Sequence, residues 1–234
     1  GMTSTRHGPL PLLLGLTGSI GMGKSTAAAM FRQLGVPVYD SDASVHFMLD
    51  RGGAAVEVID VAFPGVVADG AVDRDVLGKR VFGDDTALKR LEAIVHPLAR
   101  QAQDQFLKRC AARRLPLVVL DIPLLFEVML DVRCDASVVV SAPAFIQSAR
   151  VLARPGMTRE KFDGIMARQI PDAVKRRRAD FVVPSGRGRA ETLRHLAQIA
   201  RLMKQVPAAH WPPRAYAERT ADRRSVNARA RTRY

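Results

Sequence analysis

Nine consecutive residues combine the types and spacing that handle phosphate: Gly18, Ser19, Ile20, Gly21, Met22, Gly23, Lys24, Ser25 and Thr26. Glycines at 18, 21 and 23 let the backbone enter left-handed angles and turn successive N–H groups toward a polyphosphate. The loop opens the alanine-rich stretch Ala27-Ala28-Ala29-Met30, which reads as a helix whose unpaired N–H groups and positive dipole end favour an anion. A lysine is electrostatically unfavourable at that end unless an anion lies there, so Lys24 reads as a ligand of β- and γ-phosphate oxygens, with the Ser25 hydroxyl reaching Mg²⁺. The spacing G-x-x-x-x-G-K-S is complete, and a buried strand, Leu12 to Leu16, precedes it. ATP and Mg²⁺ are therefore the expected cofactors.

Carboxylates and guanidiniums supply the remaining chemistry. Asp40 and Asp42 end the apolar run Val36-Pro37-Val38-Tyr39. A hydroxyl attacking a γ-phosphoryl group needs a residue to orient it and take its proton, and Asp42 suits that role. Asp40 could hold a metal-bound water or cap the next helix. Asp121 ends the run Leu117 to Leu120, where a carboxylate can assist Mg²⁺ or cap the segment that follows. Arg150 and Arg154, four apart, would share a helix face and could point at the same phosphates. Lys175-Arg176-Arg177-Arg178 reads first as a solvated charge run. His96 precedes Pro97, which biases it away from helix and toward a helix end.

These groups need a scaffold, and the hydrophobic pattern supplies one. Runs at Leu12–Leu16, Val36–Tyr39, Leu117–Leu120, Ser137–Val140 and Phe181–Val183 are continuously apolar and rich in β-branched residues, the pattern of strands covered on both faces. Helical stretches separate them. The expected fold is α/β, a doubly wound parallel five-stranded sheet with ligands at the carboxyl ends of its strands. The connection from Asp40 to Pro116 exceeds a single crossover and carries helical stretches at Asp73–Phe82 and Asp84–Arg113. It reads as a helical insertion, about residues 43–114, suited to hold an acceptor. Residues 144–178, with Pro155-Gly156 between two helices and the second helix starting at Thr158, read as a lid.

Composition narrows the function classes. The 234 residues are 47% apolar, enough for one large globular domain over residues 10–204. Cys110 and Cys134 show neither metal-ligand spacing nor a disulfide framework, and no apolar stretch approaches a membrane span, so a soluble cytoplasmic protein without membrane partners is expected. The net charge is +13, of which residues 205–234 contribute +5, from seven arginines against Glu218 and Asp222. With three prolines and no apolar periodicity, that segment is expected to be a flexible arginine-rich tail. Aromatic stacking platforms are scarce, so nucleic acid is not an expected partner. A guanine-reading Asn-Lys-x-Asp motif is absent, since Asn227 is the only asparagine.

Taken together, Leu16 to Thr26, Asp40-Ser41-Asp42, His96-Pro97, Asp121-Ile122-Pro123-Leu124-Leu125-Phe126-Glu127, Gln169, Arg150 with Arg154, Met157-Thr158-Arg159-Glu160, Lys175 and Ala179-Asp180-Phe181-Val182-Val183 resemble the dephospho-CoA kinase family over about residues 12–204. The resemblance implies transfer of the ATP γ-phosphate to the ribose 3′-hydroxyl of dephospho-CoA, the last step of coenzyme A synthesis. It implies Asp42 as base and Arg150 as lid arginine, with His96, Leu124 and Glu127 on the acceptor side. Family members often carry Asn after the last strand, where this chain has Pro184-Ser185-Gly186. Another small-molecule or nucleotide kinase with the same loop is the alternative.

Overall fold

A computed structural model describes residues 11–211. The apolar runs form a five-stranded parallel sheet: β1 (Leu12–Thr17), β2 (Val38–Asp40), β5 (Leu117–Asp121), β6 (Ala136–Ser141) and β7 (Phe181–Pro184), in the order β2-β5-β1-β6-β7. β1 is central, with Leu12 opposite Leu117 and Leu14 opposite Ala136. All six of its residues are buried, as its lack of polar alternation requires. β2 begins two residues later than its apolar run, because Pro37 cannot donate; its carbonyl instead accepts from Val119 N at 2.9 Å.

Two compact units divide the chain, one built from the residues up to Val38 and from Cys110 onward, the other from Tyr39–Arg109. In the first, α1 (Lys24–Gln33) and α9 (Arg189–Met203) cover one face of the sheet. Ala27, Ala28, Met30 and Phe31 of α1 pack with Leu196, Ile199 and Met203 of α9 against Leu14, Leu16, Val138 and Val140. α6 (Ala144–Leu152), α7 (Arg159–Arg168) and α8 (Asp172–Arg178) follow β6 in turn. Thr158 caps α7 by accepting from Lys161 N at 3.2 Å, so it precedes the helix it was expected to begin.

The second unit has its own core of Met48, Leu49, Ile59, Phe63, Val66 and Leu77, contributed by α2 (Ser41–Leu49), α3 (Val56–Ala62), the turn after α3, and α4 (Arg74–Val81). A two-stranded antiparallel ribbon, β3 (Val67–Ala68) with β4 (Ala71–Val72), joins α3 to α4. α5 runs unbroken over Asp85–Ala112 with Pro97 inside it. His96 is therefore an exposed mid-helix residue and not the helix-end histidine that Pro97 suggested. Pro97 removes one backbone donor, and the length of the amphipathic helix outweighs that single loss.

The expected tail from Gln205 is corrected for its first seven residues. Val206 and Ala208 pack on the main core. Asp135, at the entry to β6, accepts from Leu13 N at 2.7 Å through Oδ2 and from Ala209 N at 2.9 Å through Oδ1. His210 Nδ1 lies 2.7 Å from the same Oδ1, and the Asp135 side chain is 1% exposed. A buried carboxylate needs such donors, and periodicity could not reveal a segment held by them. Residues 212–234, which carry the arginines, lie outside the described residues.

This anchoring predicts a stability difference. A chain ending at Lys204 loses two hydrogen bonds to a buried carboxylate that a chain ending at Trp211 keeps. At about 1.5 kcal/mol or more per charged hydrogen bond, the shorter chain should melt about 6–10 °C lower in a thermal unfolding scan.

Candidate functional site

The phosphate loop is held in shape by residues distant in sequence. Gly21 and Gly23 have φ of 76° and 93°, the left-handed region that glycine alone enters freely. A Cβ on Gly21 would lie 2.4 Å from Val151 Cγ2 and 3.1 Å from Gln147 O of α6. Gly18 corrects the expectation of three left-handed glycines. Its φ is not positive, and its constraint is steric, since a Cβ there would stand 3.0 Å from Val140 O.

Side chains from three elements bind the loop's backbone. Gln147 of α6 donates through Nε2 to Ile20 O at 2.8 Å, and Gln169, just past α7, accepts from Ile20 N at 3.3 Å. Met22 turns inward, 2% exposed, with its sulfur 3.1 Å from Ala142 N. Ser185 donates through Oγ to Met22 O. Ser19 is 2% exposed and its hydroxyl has no hydrogen-bond partner. Gln147 and Ser185 were missed by sequence reading because each is a single polar residue whose role depends on what folds against it.

The arginines part company. Arg150 donates from Nη1 to Gly21 O at 3.3 Å and Ser185 Oγ at 3.2 Å, and from Nη2 to Ser185 O at 2.8 Å. It fastens the loop to the end of β7. α6 ends at Leu152, so Arg154 lies beyond it, exposed, and the two do not share a helix face as their spacing suggested.

At the start of α1, the Lys24 ammonium is engaged by Oδ1 of Asp121 at the end of β5, with side chains 19% and 6% exposed. Register places them together, because Leu16 of β1 lies opposite Asp121. Ser25 and Thr26 follow in the first turn of α1, and Ser25 is exposed. The first four N–H groups of that helix have no intrahelical acceptor, and no acidic residue or side-chain cap occupies the end. Such an end, with a lysine beside it, is built to receive an anion. Thr17 Oγ1 donates to Pro123 O at 2.9 Å and ties the end of β1 to the segment after Asp121.

Along that segment Leu124 is 40% exposed, whereas Glu127 is directed inward toward Lys175 of α8, at 3.1 Å. Sequence reading placed Lys175 in a solvated charge run; only its three neighbours fit that description, since it is 0% exposed.

In the second unit, Asp40 is the N-cap of α2 and accepts from Ala43 N at 2.9 Å. Of its two expected alternatives the capping role is the one realised. Asp42 stands exposed in the first turn of that helix. Burial pushes the Tyr39 phenol above its ordinary range, its hydrogen bond to Ser44 opposes that, and the Asp40 charge adds to the rise. Among the described residues no three His, Cys, Asp or Glu side chains cluster as a metal cage, and no helix is long and apolar enough to cross a membrane.

Comparisons with known proteins show the family and the fold. A family model for dephospho-CoA kinase, CoaE, matches residues 12–190. The dephospho-CoA kinase of Paramagnetospirillum magneticum is 67% identical over 164 residues, which span 70% of this chain and 77% of that protein. That of Rhodospirillum rubrum is 56% identical over 187 residues, 79% of this chain and 88% of its own. A crystal structure of a Thermus thermophilus protein superposes with a TM-score of 0.72 at 39% identity, covering 83% of this chain and 97% of that one. The dephospho-CoA kinase structure from Campylobacter jejuni, at 21% identity and a TM-score of 0.57 over 83% and 98% of the two chains, shares the fold. A family model spanning both compact units, joined by relatives of this identity, shows that the chain belongs to the dephospho-CoA kinase family.

Proposed function

We propose that this chain transfers the γ-phosphate of ATP to the ribose 3′-hydroxyl of dephospho-CoA, giving coenzyme A and ADP, as its family membership indicates. The observation that carries the residue-level reading is the glycine-shaped loop opening α1 with Lys24 held at Asp121. The Gly18 to Thr26 backbone cradles the phosphates. Lys24 exchanges Asp121 for β- and γ-phosphate oxygens and offsets charge on the transferring group. Arg150 holds the loop and the end of β7 in one piece around the nucleotide, and exposed Arg154 offers a guanidinium to the phosphates.

Magnesium fits the donor set, which is all hard oxygen: the Ser25 hydroxyl and the Asp121 carboxylate would hold it. A site completed by nucleotide phosphates and water needs no all-protein cage, consistent with the absence of one among the described residues. When bound, the ion supplies charge neutralisation at the phosphates. On the acceptor side, Asp42 is the residue we assign to orient the hydroxyl and take its proton, because Asp40 is committed to its cap. His96 and Leu124, both exposed, are assigned to acceptor contacts. Both substrates are water-soluble, and the reaction is assigned to the cytoplasm.

The activity is tested by following ADP release from Mg-ATP with dephospho-CoA, adenosine, nucleoside monophosphates, shikimate and gluconate as acceptors. Turnover confined to dephospho-CoA is expected, and preference for another acceptor overturns the assignment. Lys24→Ala should lower kcat by about 10²–10³-fold with the melting temperature preserved. Asp42→Asn should lower kcat by ~10²–10⁴-fold with little change in either KM, since the amide keeps shape but cannot take a proton. Asp40→Asn is the comparison: asparagine caps a helix as well as aspartate, so kcat should stay within about threefold. A larger loss from Asp40→Asn than from Asp42→Asn would reverse the two assignments.

A further inference from the structure

Among the described residues Lys175 is the one buried lysine or arginine, at 0% exposure, and its ammonium stands 3.1 Å from Oε2 of a Glu127 side chain that is itself 12% exposed. Both Glu127 oxygens and the ammonium are buried, and no other side chain or backbone group hydrogen-bonds to them. Two ions removed from water in this way are often no more stabilising than two well-packed apolar side chains, whereas removing one partner strands the other's charge. Stability therefore gives little reason for these residue types at these positions.

Connectivity gives one. Lys175 lies on α8, the helix by which the chain returns from α7 to β7, and Asp172 at the start of that helix accepts from Ser141 Oγ at 2.8 Å, at the end of β6. Glu127 closes a segment that begins at Asp121, the residue engaging Lys24, and that is tied at Pro123 O to Thr17 just before the phosphate loop. One end of the segment contacts the ammonium that serves the phosphates, and the other is fixed by a second, fully buried ammonium.

We propose that Lys175 is a positioning residue for phosphoryl transfer: through Glu127 it sets residues 121–127 so that the Asp121 carboxylate holds the Lys24 ammonium where the β- and γ-phosphate oxygens take it over. Glu127 is then the link between Lys175 and that segment and does not touch the acceptor. The inference rests on the assignment of Lys24 and Asp121 above.

The test uses Lys175→Met, Glu127→Leu and the double variant in the full chain. Each single variant leaves one buried charge and should lose both melting temperature and kcat. The double variant removes both charges and should recover a melting temperature near wild type while its kcat stays at least tenfold down, with KM for ATP and for dephospho-CoA within twofold. A double variant with wild-type kcat would make the pair merely structural, and a raised KM for dephospho-CoA with kcat intact would return Glu127 to the acceptor; either overturns the proposal. If the double variant does not fold, Glu127→Gln, which keeps the side-chain shape, carries the test through its kinetics alone: kcat at least tenfold down with both KM values within twofold is expected, and a wild-type kcat or a raised KM for dephospho-CoA with kcat intact overturns the proposal. Lys24→Ala run in parallel separates the two readings: full turnover there removes the underlying site assignment, whereas wild-type kcat in the double variant beside an inactive Lys24→Ala removes only the role of Lys175.

Discussion

A loop that turns backbone N–H groups toward an anion has few left with which to hold itself together. Most of this structure answers that constraint. The peptide at Ile20 is gripped by Gln147 on one side and Gln169 on the other, Met22 is turned into the protein, and Arg150 and Ser185 fasten Gly21 and Met22 to the end of β7. Glycine at 21 is required twice, by its left-handed angle and by the approach of Val151. α6, α7 and β7 thus serve as external supports for a turn that commits the N–H groups of Ile20 and Met22 to its own shape and leaves those at the start of α1 for ligand.

Charge placement follows the same logic. A lysine at the N-terminus of α1 works against the helix dipole, and in the absence of an anion it is satisfied by a carboxylate delivered through strand register, Leu16 opposite Asp121. Asp121 in turn belongs to a segment with two further attachments, at Thr17 and at Lys175. The ammonium of Lys24 is therefore positioned by a short covalent path from β1 and by a longer one through β5. Ligand phosphates take over an ammonium that Asp121 already holds beside the loop, which lowers the reorganisation needed when nucleotide arrives.

How much of this was legible in the sequence depended on whether the signal was local. The five strands, α1, the long helices and the loop were readable because hydrophobic runs and glycine spacing act over neighbouring residues. Asp40 as a cap was readable for the same reason, although only the structure chose between its two roles. What was not readable depends on partners far along the chain. Ser185 is an ordinary serine until Met22 and Arg150 fold against it, 163 and 35 residues away. Lys175 looks like its neighbours Arg176, Arg177 and Arg178 until α8 packs with that one side chain inward. His96 was misplaced because a local bias at Pro97 was allowed to outweigh a 28-residue helix. The residue-level roles of Lys24, Asp42 and Asp121 remain assignments made from chemistry and position.

The Asp135 contact also sets an order of events. Oδ2 meets Leu13, near the start of the chain, while Oδ1 meets Ala209 and His210, nearly two hundred residues later in the described structure. During synthesis from the N-terminus, β1, β5 and β6 are all available before residues 209 and 210 have been joined to the chain. A sheet that assembles during synthesis therefore does so with this carboxylate only half satisfied, and the entry to its central strands is closed by a segment that arrives after every strand of the sheet. A nascent chain stalled short of position 209 would carry a complete phosphate loop on a sheet that is not yet locked.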